Sequence, residues 1–418
     1  MVPTPATDVA RDHEDAQPAD VARLREELVR ELRELKALVT PEVERAVRAV
    51  PRHLFIPEVP VEKAYAAEHH YVTKKDEHGV SISSVSAARI QVMMLEQAGV
   101  RPGMRVLELG SGGYNSALLT ELVGEAGEVI SIDIDEDVLD RARRLLPAVG
   151  YPDVRLVHAD GEFGAPEHAP FDRIIVTAGA WDIPPAWVEQ LADGGRIVVP
   201  LRMRGLTRTV AFDLDGGRLV ARDYQLCGFV PMQGAGESRT DLVLLHGVAG
   251  EEVGLRLDDG QQVEAVALAR ALRQPRVERW SGVTVGGFEP FDNLDLWLAT
   301  VLDGFVLLTG TVQARERGLV ASVSPLGVAT LADDDSFAYR TVRPTSEERT
   351  LFEFGVYGHG PNADALADRL VDQIRVWDRD HRRDQARIEA YPLTTPDDDL
   401  PAGRVIDKRH RRITISWP

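Results

Sequence analysis

The apolar residues near the N-terminus recur with the period of a helix. Between Asp20 and Leu38 they lie three or four positions apart, which predicts an amphipathic helix. A second helix is predicted to follow, with Thr40 as its cap, and to end near Val50 before a proline. Residues 1–19 have no apolar period and are rich in proline, aspartate and alanine, so we expect a disordered leader there.

Between residues 101 and 200 short apolar runs alternate with segments of helical composition. The strand candidates are Arg105–Leu109, Glu128–Ile132, Val154–His158, Phe171–Thr177 and Gly195–Pro200. The helix candidates between them are Ser116–Val123, Glu136–Ala148 and Ala186–Ala192. This alternation predicts a parallel, doubly wound α/β sheet, which binds ligands beyond the carboxyl ends of its strands.

Beyond Gly236 strand candidates mix with fewer helices. The strand candidates are Leu242–Val248, Gly282–Gly286, Phe305–Thr309, Leu319–Ser324, Leu351–Tyr357 and Arg411–Trp417. The longest helix candidate is Asn362–Trp377, with Asn362 as a possible cap. We therefore expect a leader at 1–19, a helical segment and α/β domain at 20–236, and an appended C-terminal α+β domain at 237–418, a candidate for substrate recognition.

The amino-acid composition limits the classes of molecule that we expect the protein to bind. With 48 Lys and Arg against 67 Asp and Glu the formal net charge is −19, which argues against nucleic acid or an anionic membrane. The only cysteine, Cys227, excludes an internal disulfide framework, and His69 and His70 have no further ligands at metal spacing, so no metal site is expected. No apolar run approaches the roughly 20 residues of a membrane span. We expect a cytoplasmic protein that acts on peptides or small molecules.

The segment Val106–Asn115 carries the most informative motif. An apolar strand there runs directly into Gly110, Gly112 and Gly113, so the backbone must approach a ligand where side chains would collide. A dinucleotide-binding motif would need glycine at the position of Asn115. A nicotinamide cofactor is therefore disfavoured.

Acidic residues end three successive strands of the predicted sheet. Glu108 precedes the glycines, where a carboxylate would repel a pyrophosphate but can attract the ammonium group of an amino acid. Asp133 can accept hydrogen bonds from two ribose hydroxyls. Asp160 can accept from an adenine amino group, with Gly161 leaving room for the ring. Each feature alone also fits a tight turn or a helix cap, but together they predict S-adenosylmethionine as cofactor, with S-adenosylhomocysteine as product.

From about Thr40 to Met232 the chain resembles the protein-L-isoaspartate O-methyltransferases. The stretches that carry the resemblance are Val50–Glu58, Ala64–Tyr65, Ser81–Ser83, Val106–Gly113, Ala159–Gly161, Pro170–Ala178, Ile183–Pro185, Gly194–Pro200 and Phe229–Met232. The resemblance implies an enzyme, an S-adenosylmethionine-dependent carboxyl O-methyltransferase. It also implies the seven-stranded, Rossmann-like fold of class I methyltransferases and a peptide carboxylate as acceptor.

The resemblance also implies roles for individual residues. Ser83 aligns with the active-site serine of the family and is expected to hold the acceptor carboxylate as the catalytic residue. The residues expected to bind the cofactor are Ser81, Ile82, Glu108, Gly110, Ser111, Gly112, Gly113, Asn115, Asp133, Ile134, Asp160, Gly161 and Thr177. The residues expected to bind the substrate are Ser84, His70, Lys74, Lys75, Ala178 and Met232.

The chain departs from the family pattern in three places. The glycine loop Gly110–Tyr114 is one residue shorter, Ser84 and Val85 replace the residues that often follow the serine, and His69–Gly79 replaces the approach loop. With the long C-terminal domain, these departures resemble the methyltransferases of lanthipeptide and related ribosomal-peptide pathways, including a group tied to FxLD-type precursors. That resemblance implies an ordinary aspartate as acceptor, whose methyl ester closes to an aspartimide and then opens to isoaspartate.

Three other functions stay open at this point. General isoaspartate repair predicts activity on many unrelated isoaspartyl peptides. A non-catalytic peptide-binding protein with a degenerate methyltransferase fold would explain the shortened glycine loop. Methylation of a small molecule is the third possibility, because this fold hosts many acceptors.

Overall fold

The computed structural model describes residues 18–77, 79–238, 240–258 and 260–418, and the chain divides into two compact units. The first unit comprises residues up to 201 and 207–238, and the second comprises 202–206 and 239–418. The leader expected at residues 1–19 lies outside the described residues, except for Pro18 and Ala19, which begin the first helix.

The first unit begins with helices and a hairpin. The helices are α1 (Pro18–Glu34), α2 (Pro41–Ala49), α3 (Val61–Ala64) and α4 (Ala88–Ala98). The hairpin, which the sequence analysis did not predict, consists of β1 (Tyr71–Lys75) and β2 (Ser81–Val85). Thr40 caps α2 as predicted, because its hydroxyl oxygen accepts from the Val43 backbone N–H at 3.4 Å.

The sheet of the first unit has the predicted doubly wound α/β form. Its strands are β3 (Arg105–Leu109), β4 (Glu128–Asp133), β5 (Arg155–His158), β6 (Phe171–Val176), β7 (Leu191–Met203), β8 (Leu206–Asp215) and β9 (Arg218–Leu226). They run in the order β9-β8-β7-β6-β3-β4-β5, with parallel pairs from β7 to β5 and an antiparallel pair β8/β9. The sheet that contains these seven strands has ten strands in all, so the predicted count of seven is not confirmed.

Strand β3 lies at the point where the chain reverses its direction across the sheet. From β3 the chain adds β4 and β5 on one side, through α5 (Tyr114–Val123) and α6 (Glu136–Ala148). It then adds β6 and β7 on the other side, with α7 (Pro185–Glu189) between them. Such a reversal leaves a crevice at the carboxyl ends of the central strands, which is where ligands bind in open α/β sheets.

The second unit contains a seven-stranded antiparallel sheet with helices, in the order β10-β11-β13-β14-β15-β16-β12. The strands are β10 (Asp241–His246), β11 (Val253–Leu257), β12 (Val277–Gly286), β13 (Phe305–Gly310), β14 (Val328–Ala332), β15 (Phe337–Pro344) and β16 (Leu351–His359). The helices are α8 (Ala265–Ala271), α9 (Asp292–Val301), α10 (Val312–Glu316) and α11 (Ala363–Val376). The last strands are β17 (Arg387–Pro392), β18 (Arg404–Asp407) and β19 (Arg411–Ser416), with β19 antiparallel to both others.

Two predictions for the second unit were wrong. Leu319–Ser324 is not a strand. Its backbone bonds to a side chain instead of to a neighbouring strand: the Ala321 N–H donates to the Tyr339 hydroxyl at 3.0 Å. Asn362 does not cap α11 through its side chain, since its amide nitrogen donates to Asp333 at 2.8 Å. Among the helices of the described residues, none is both long and apolar enough to cross a membrane.

Arg52 is a fully buried charged group in the core of the first unit, at 0% exposure. Its guanidinium lies over the Tyr114 ring, 4.7 Å from the ring centre. It donates hydrogen bonds to three backbone carbonyls and one amide oxygen, those of Ala64, His69, Ser86 and the Gln91 side chain. These bonds join the segments on either side of the β1–β2 hairpin.

We expect Arg52→Met to lower the free energy of unfolding of the first unit by about 3 kcal/mol, because it leaves buried carbonyls without a donor. Urea unfolding followed by circular dichroism measures the change. Arg45→Met is the matched control, since Arg45 is 69% exposed and forms an exposed ion pair with Glu42, and it should cost less than about 0.5 kcal/mol. Equal unfolding midpoints for the two variants would contradict the assignment.

Candidate active site

The glycine loop between β3 and α5 adopts backbone conformations that favour glycine. Gly110 has a φ of 101°, and a Cβ there would lie 2.3 Å from Oγ1 of Thr177. Gly113 has a φ of 84°, and a Cβ there would lie 3.1 Å from the Phe55 ring. A Cβ on Gly112 would meet only one backbone oxygen, at 3.9 Å. The loop is thus tightly packed at its two ends and open at its centre.

The Glu108 carboxylate is fully buried behind the glycine loop. Its Oε1 accepts from Asn115 Nδ2 at 2.8 Å, and its Oε2 accepts from the hydroxyls of Ser131, at 2.6 Å, and Ser116. Burial raises the pKa of Glu108, and the three hydrogen bonds oppose that rise. Because the donors come from β4 and α5, this carboxylate holds the strand end and the helix start together.

Asp133 ends β4 beside the same loop. Its Oδ2 accepts from the Ser111 backbone N–H and its Oδ1 from the Asp135 backbone N–H, both at 2.9 Å. Burial raises the pKa of Asp133, while the backbone hydrogen bonds oppose it. These backbone bonds fix the direction of the carboxylate.

Asp160 is engaged differently from what the sequence suggested. Its Oδ1 accepts from the Glu162 backbone N–H at 2.9 Å, and its Oδ2 accepts from the Ala235 backbone N–H at 2.8 Å. The carboxylate therefore caps a short 3₁₀ turn that starts at Gly161 and also holds the segment around Ala235. Gly161, not Asp160, lines the adjacent cleft.

A cleft that is open to solvent, with about 820 Å³ of empty space including that solvent, lies at the carboxyl ends of β3 and β4. Among the predicted site residues it brings together Ile82, Ser83, Ser84, Glu108, Gly110, Ser111, Gly112, Asn115, Asp133, Ile134, Gly161, Thr177, Ala178 and Met232. The predicted residues that do not line it are Ser81, Gly113, Asp160, His70, Lys74 and Lys75. Glu108 and Asp133 thus share a cavity with Ser83.

The β1–β2 hairpin supplies Ser83 to the cleft. Thr73 Oγ1 donates to Ser83 Oγ at 2.8 Å, which leaves the Ser83 proton free to be donated elsewhere. Gln233 Nε2 donates to the Ile82 carbonyl at 3.2 Å and fixes the same strand from the other side.

Two predicted substrate-binding residues have other surroundings. The Lys74 ammonium donates to both carboxylate oxygens of Asp135, at 2.9 and 2.6 Å, and to Asp137 Oδ2 at 2.6 Å. His70 is exposed and its ring stacks on His69, with ring centres 6.5 Å apart. In the described part of the chain no group of three or more His, Cys, Asp or Glu side chains could hold a metal ion.

Sequence reasoning missed part of the cleft wall, namely Val85, Ser86, Gln91, Leu109, Ile132, Asp135, Val138, Val230, Pro231 and Gln233. Gln91 is the most informative of these. Arg52 Nη1 donates to its amide oxygen at 2.8 Å, so its amide nitrogen is the donor that remains for the cleft. The only signal in the sequence is a lone glutamine within the apolar run Ile90–Leu95.

This arrangement suits a nucleoside that carries a charged amino-acid group. Carboxylates stand at two strand ends, the glycine loop leaves its centre open, and amide and hydroxyl donors face the same space. Neutral Cys227 is buried outside this cleft, and burial raises the pKa of its thiol to about 12, so it is not a nucleophile at neutral pH.

The family profile and the similar sequences of known proteins match the part of the chain that contains the cleft. The profile of the protein-L-isoaspartate(D-aspartate) O-methyltransferase family matches residues 23–237. Protein-L-isoaspartate O-methyltransferase 2 of Archaeoglobus fulgidus is 36% identical over 216 residues, which are 51% of this chain and 95% of that protein. The enzyme of the same name from Methanococcoides burtonii is 38% identical over 205 residues, 49% of this chain and 98% of its own length.

A solved structure of a protein-L-isoaspartate O-methyltransferase superposes with a TM-score of 0.48 and 21% identity, covering 87% of this chain and 96% of that one. The family match confirms the predicted class of enzyme, an S-adenosylmethionine-dependent carboxyl O-methyltransferase, and the predicted cofactor. The chain belongs to the protein-L-isoaspartate(D-aspartate) O-methyltransferase family.

Proposed function

We propose that the chain transfers a methyl group from S-adenosylmethionine to the side-chain carboxylate of an aspartate in a ribosomally made peptide of the lanthipeptide type. The observation that carries the proposal is one cleft lined both by the glycine loop with Glu108 and Asp133 and by Ser83. Groups for the donor and groups for the acceptor thus face the same cleft. When bound, S-adenosylmethionine supplies an electrophilic methyl group on a sulfonium.

The donor side is built from groups that still have hydrogen-bonding capacity. The Asp133 carboxylate accepts from backbone N–H groups on both oxygens and can accept from a ribose hydroxyl as well. Glu108 Oε1 accepts only from Asn115 and can accept from the ammonium group. The Gln91 amide nitrogen can donate to the methionine carboxylate. In this proposal, Gly161 leaves room for the adenine ring.

The acceptor side needs positioning more than acid–base chemistry. An aspartate carboxylate is already ionised at neutral pH, so no strong general base is required. Ser83 donates its proton to one oxygen of the acceptor carboxylate and orients the other oxygen, while the walls of the cleft exclude water. Thr73 favours this direction of the Ser83 proton because its own hydroxyl donates to Ser83 Oγ.

Isoaspartate arises from the ester without a further residue of the chain. The backbone nitrogen that follows the esterified aspartate attacks the ester carbonyl and loses its proton, and methanol leaves, which closes an aspartimide. Water then opens the ring at either carbonyl and gives isoaspartate or aspartate.

Two features support an aspartate of a specific ribosomal peptide as the acceptor, in preference to general isoaspartate repair. The hairpin that contains Ser83 overlaps the segment His69–Gly79, which replaces the approach loop of the family. Residues 239–418, the main part of the second unit, lie outside the family match, which ends at residue 237, and we propose that they recognise the peptide. Isoaspartate repair is the second candidate, because the matched relatives are named protein-L-isoaspartate O-methyltransferases.

We expect Asp133→Asn to weaken binding of S-adenosylhomocysteine at least about tenfold in calorimetry, because it removes a charged acceptor. Because burial raises the pKa of Asp133, its carboxylate is protonated at a higher pH than an ordinary aspartate. The affinity of the wild type should therefore begin to fall at a higher pH as the solution is acidified, and the variant should lose that pH dependence. Asp140→Asn, on the exposed face of α6, is the control. Absence of heat with the wild type would favour the non-catalytic alternative.

Ser83→Ala is expected to lower kcat by about ten- to a hundredfold through loss of one positioning donor, with affinity for S-adenosylhomocysteine within about twofold of wild type. Methyl transfer from labelled donor measures kcat. Unchanged turnover would remove Ser83 from the acceptor site.

A direct comparison of acceptors separates the two candidate functions. With a modified precursor peptide containing aspartate, mass spectrometry should detect a gain of one methyl group and then loss of methanol. Unrelated isoaspartyl peptides should be methylated much more slowly. Equal rates on all isoaspartyl peptides, with no reaction at aspartate, would establish repair instead.

A further inference from the structure

The β1–β2 hairpin is a separate two-stranded sheet that carries the acceptor serine. Its register pairs Val72 with Ser84 and Lys74 with Ser83, and shifts on both sides of Lys74 leave Thr73 out of the ladder. Both Ser83 and Ser84 line the cleft. The hairpin must therefore be held in place by contacts other than those of the large sheet.

Lys74 makes such a contact with the donor side. Its ammonium has three protons, and three carboxylate oxygens accept them, two from Asp135 and one from Asp137. The hydrogen bond to Asp135 is the main reason why the pKa of Lys74 is raised, so the ammonium group stays charged at neutral pH. With its protons engaged in this way, Lys74 is not free to bind an acidic peptide.

The partner of Lys74 belongs to the same turn as the predicted ribose ligand. The Asp135 backbone N–H donates to Asp133 Oδ1 at 2.9 Å, and Asp135 Oδ1 accepts from the Asp137 N–H at 3.0 Å as the cap of α6. Asp135 itself lines the cleft. A displacement of this turn would reach Asp133 through one hydrogen bond.

The residue before Lys74 makes the matching contact on the acceptor side. Thr73 Oγ1 donates to Ser83 Oγ at 2.8 Å across the hairpin. Neighbouring residues of one strand thus contact the acceptor serine and the donor-side turn.

We propose that Lys74 is a positioning residue: its ion pairs with Asp135 and Asp137 lock the hairpin that carries Ser83 onto the donor-binding turn. This inference rests on the proposed function, because it assigns the acceptor site to Ser83. Lys74 is 34% exposed and Asp137 80% exposed, so salt screens the lock.

The test compares Lys74→Met, Lys74→Arg, Asp137→Asn and the double variant Lys74→Met/Asp137→Asn with wild type. Lys63→Met, an exposed lysine on α3 outside the cleft, is the matched control. The rate of amide hydrogen exchange in residues 71–75 and 81–85 measures directly how firmly the hairpin is held, and this measurement does not depend on enzymatic activity. Titration with S-adenosylhomocysteine and labelled methyl transfer to the peptide acceptor complete the set.

In Lys74→Met we expect exchange in the hairpin to rise about threefold or more and kcat to fall about fivefold, with affinity for S-adenosylhomocysteine within about twofold. Lys74→Arg should recover part of kcat because it keeps the charge. Asp137→Asn should show a smaller effect, and the double variant no more than Lys74→Met. About 0.5 M NaCl should loosen the hairpin in wild type but hardly change Lys74→Met.

Wild-type exchange and kcat in both Lys74→Met and Asp137→Asn would overturn the inference. If Lys74→Met unfolds, Asp137→Asn decides alone, since it changes only an exposed group. A wild-type protein that methylates no peptide contradicts the proposed function, while its hydrogen exchange still shows whether the lock exists.

Discussion

The buried carboxylate of Glu108 is the constraint on which the site depends. A carboxylate removed from water is unfavourable unless donors surround it. Three donors do so here, from the strand beside it and from the first turn of α5. Because Glu108 precedes the glycine loop and Asn115 and Ser116 follow it, these hydrogen bonds restrict the conformation of the loop between them. A single buried charge thus fixes where β3 ends and where α5 begins.

The two sides of the cleft are held by different means. On the donor side, the Ser131 hydroxyl donates to the buried Glu108 carboxylate and the Ser111 backbone N–H donates to Asp133, and low exposure strengthens such bonds. On the acceptor side, a two-stranded hairpin carries Ser83, which accepts from Thr73, and is tied to the donor side by two partly exposed ion pairs of Lys74.

Local patterns in the sequence were enough for most of the α/β unit. The strand Arg105–Leu109 and the helix Glu136–Ala148 have the predicted bounds, and neighbouring elements differ from prediction by a few residues at their ends. Apolar periodicity encodes these elements because each depends on residues only a few positions apart. The glycine loop was readable for a similar reason, since a strand end, close glycines and a helix start are consecutive in the chain.

The sequence by itself determined the sheet class, the glycine loop, the family and the residues Glu108, Asp133 and Ser83 that face one cleft. Only the tertiary structure decided that Asp160 binds two backbone N–H groups beside the cleft, that Gln91 lines it, and that Lys74 is paired with Asp135 and Asp137. The reason is distance along the chain. Lys74 and Asp135 are 61 positions apart, and Asp160 and Ala235 are 75 apart, so no local pattern records which donor meets which acceptor once the strands are packed.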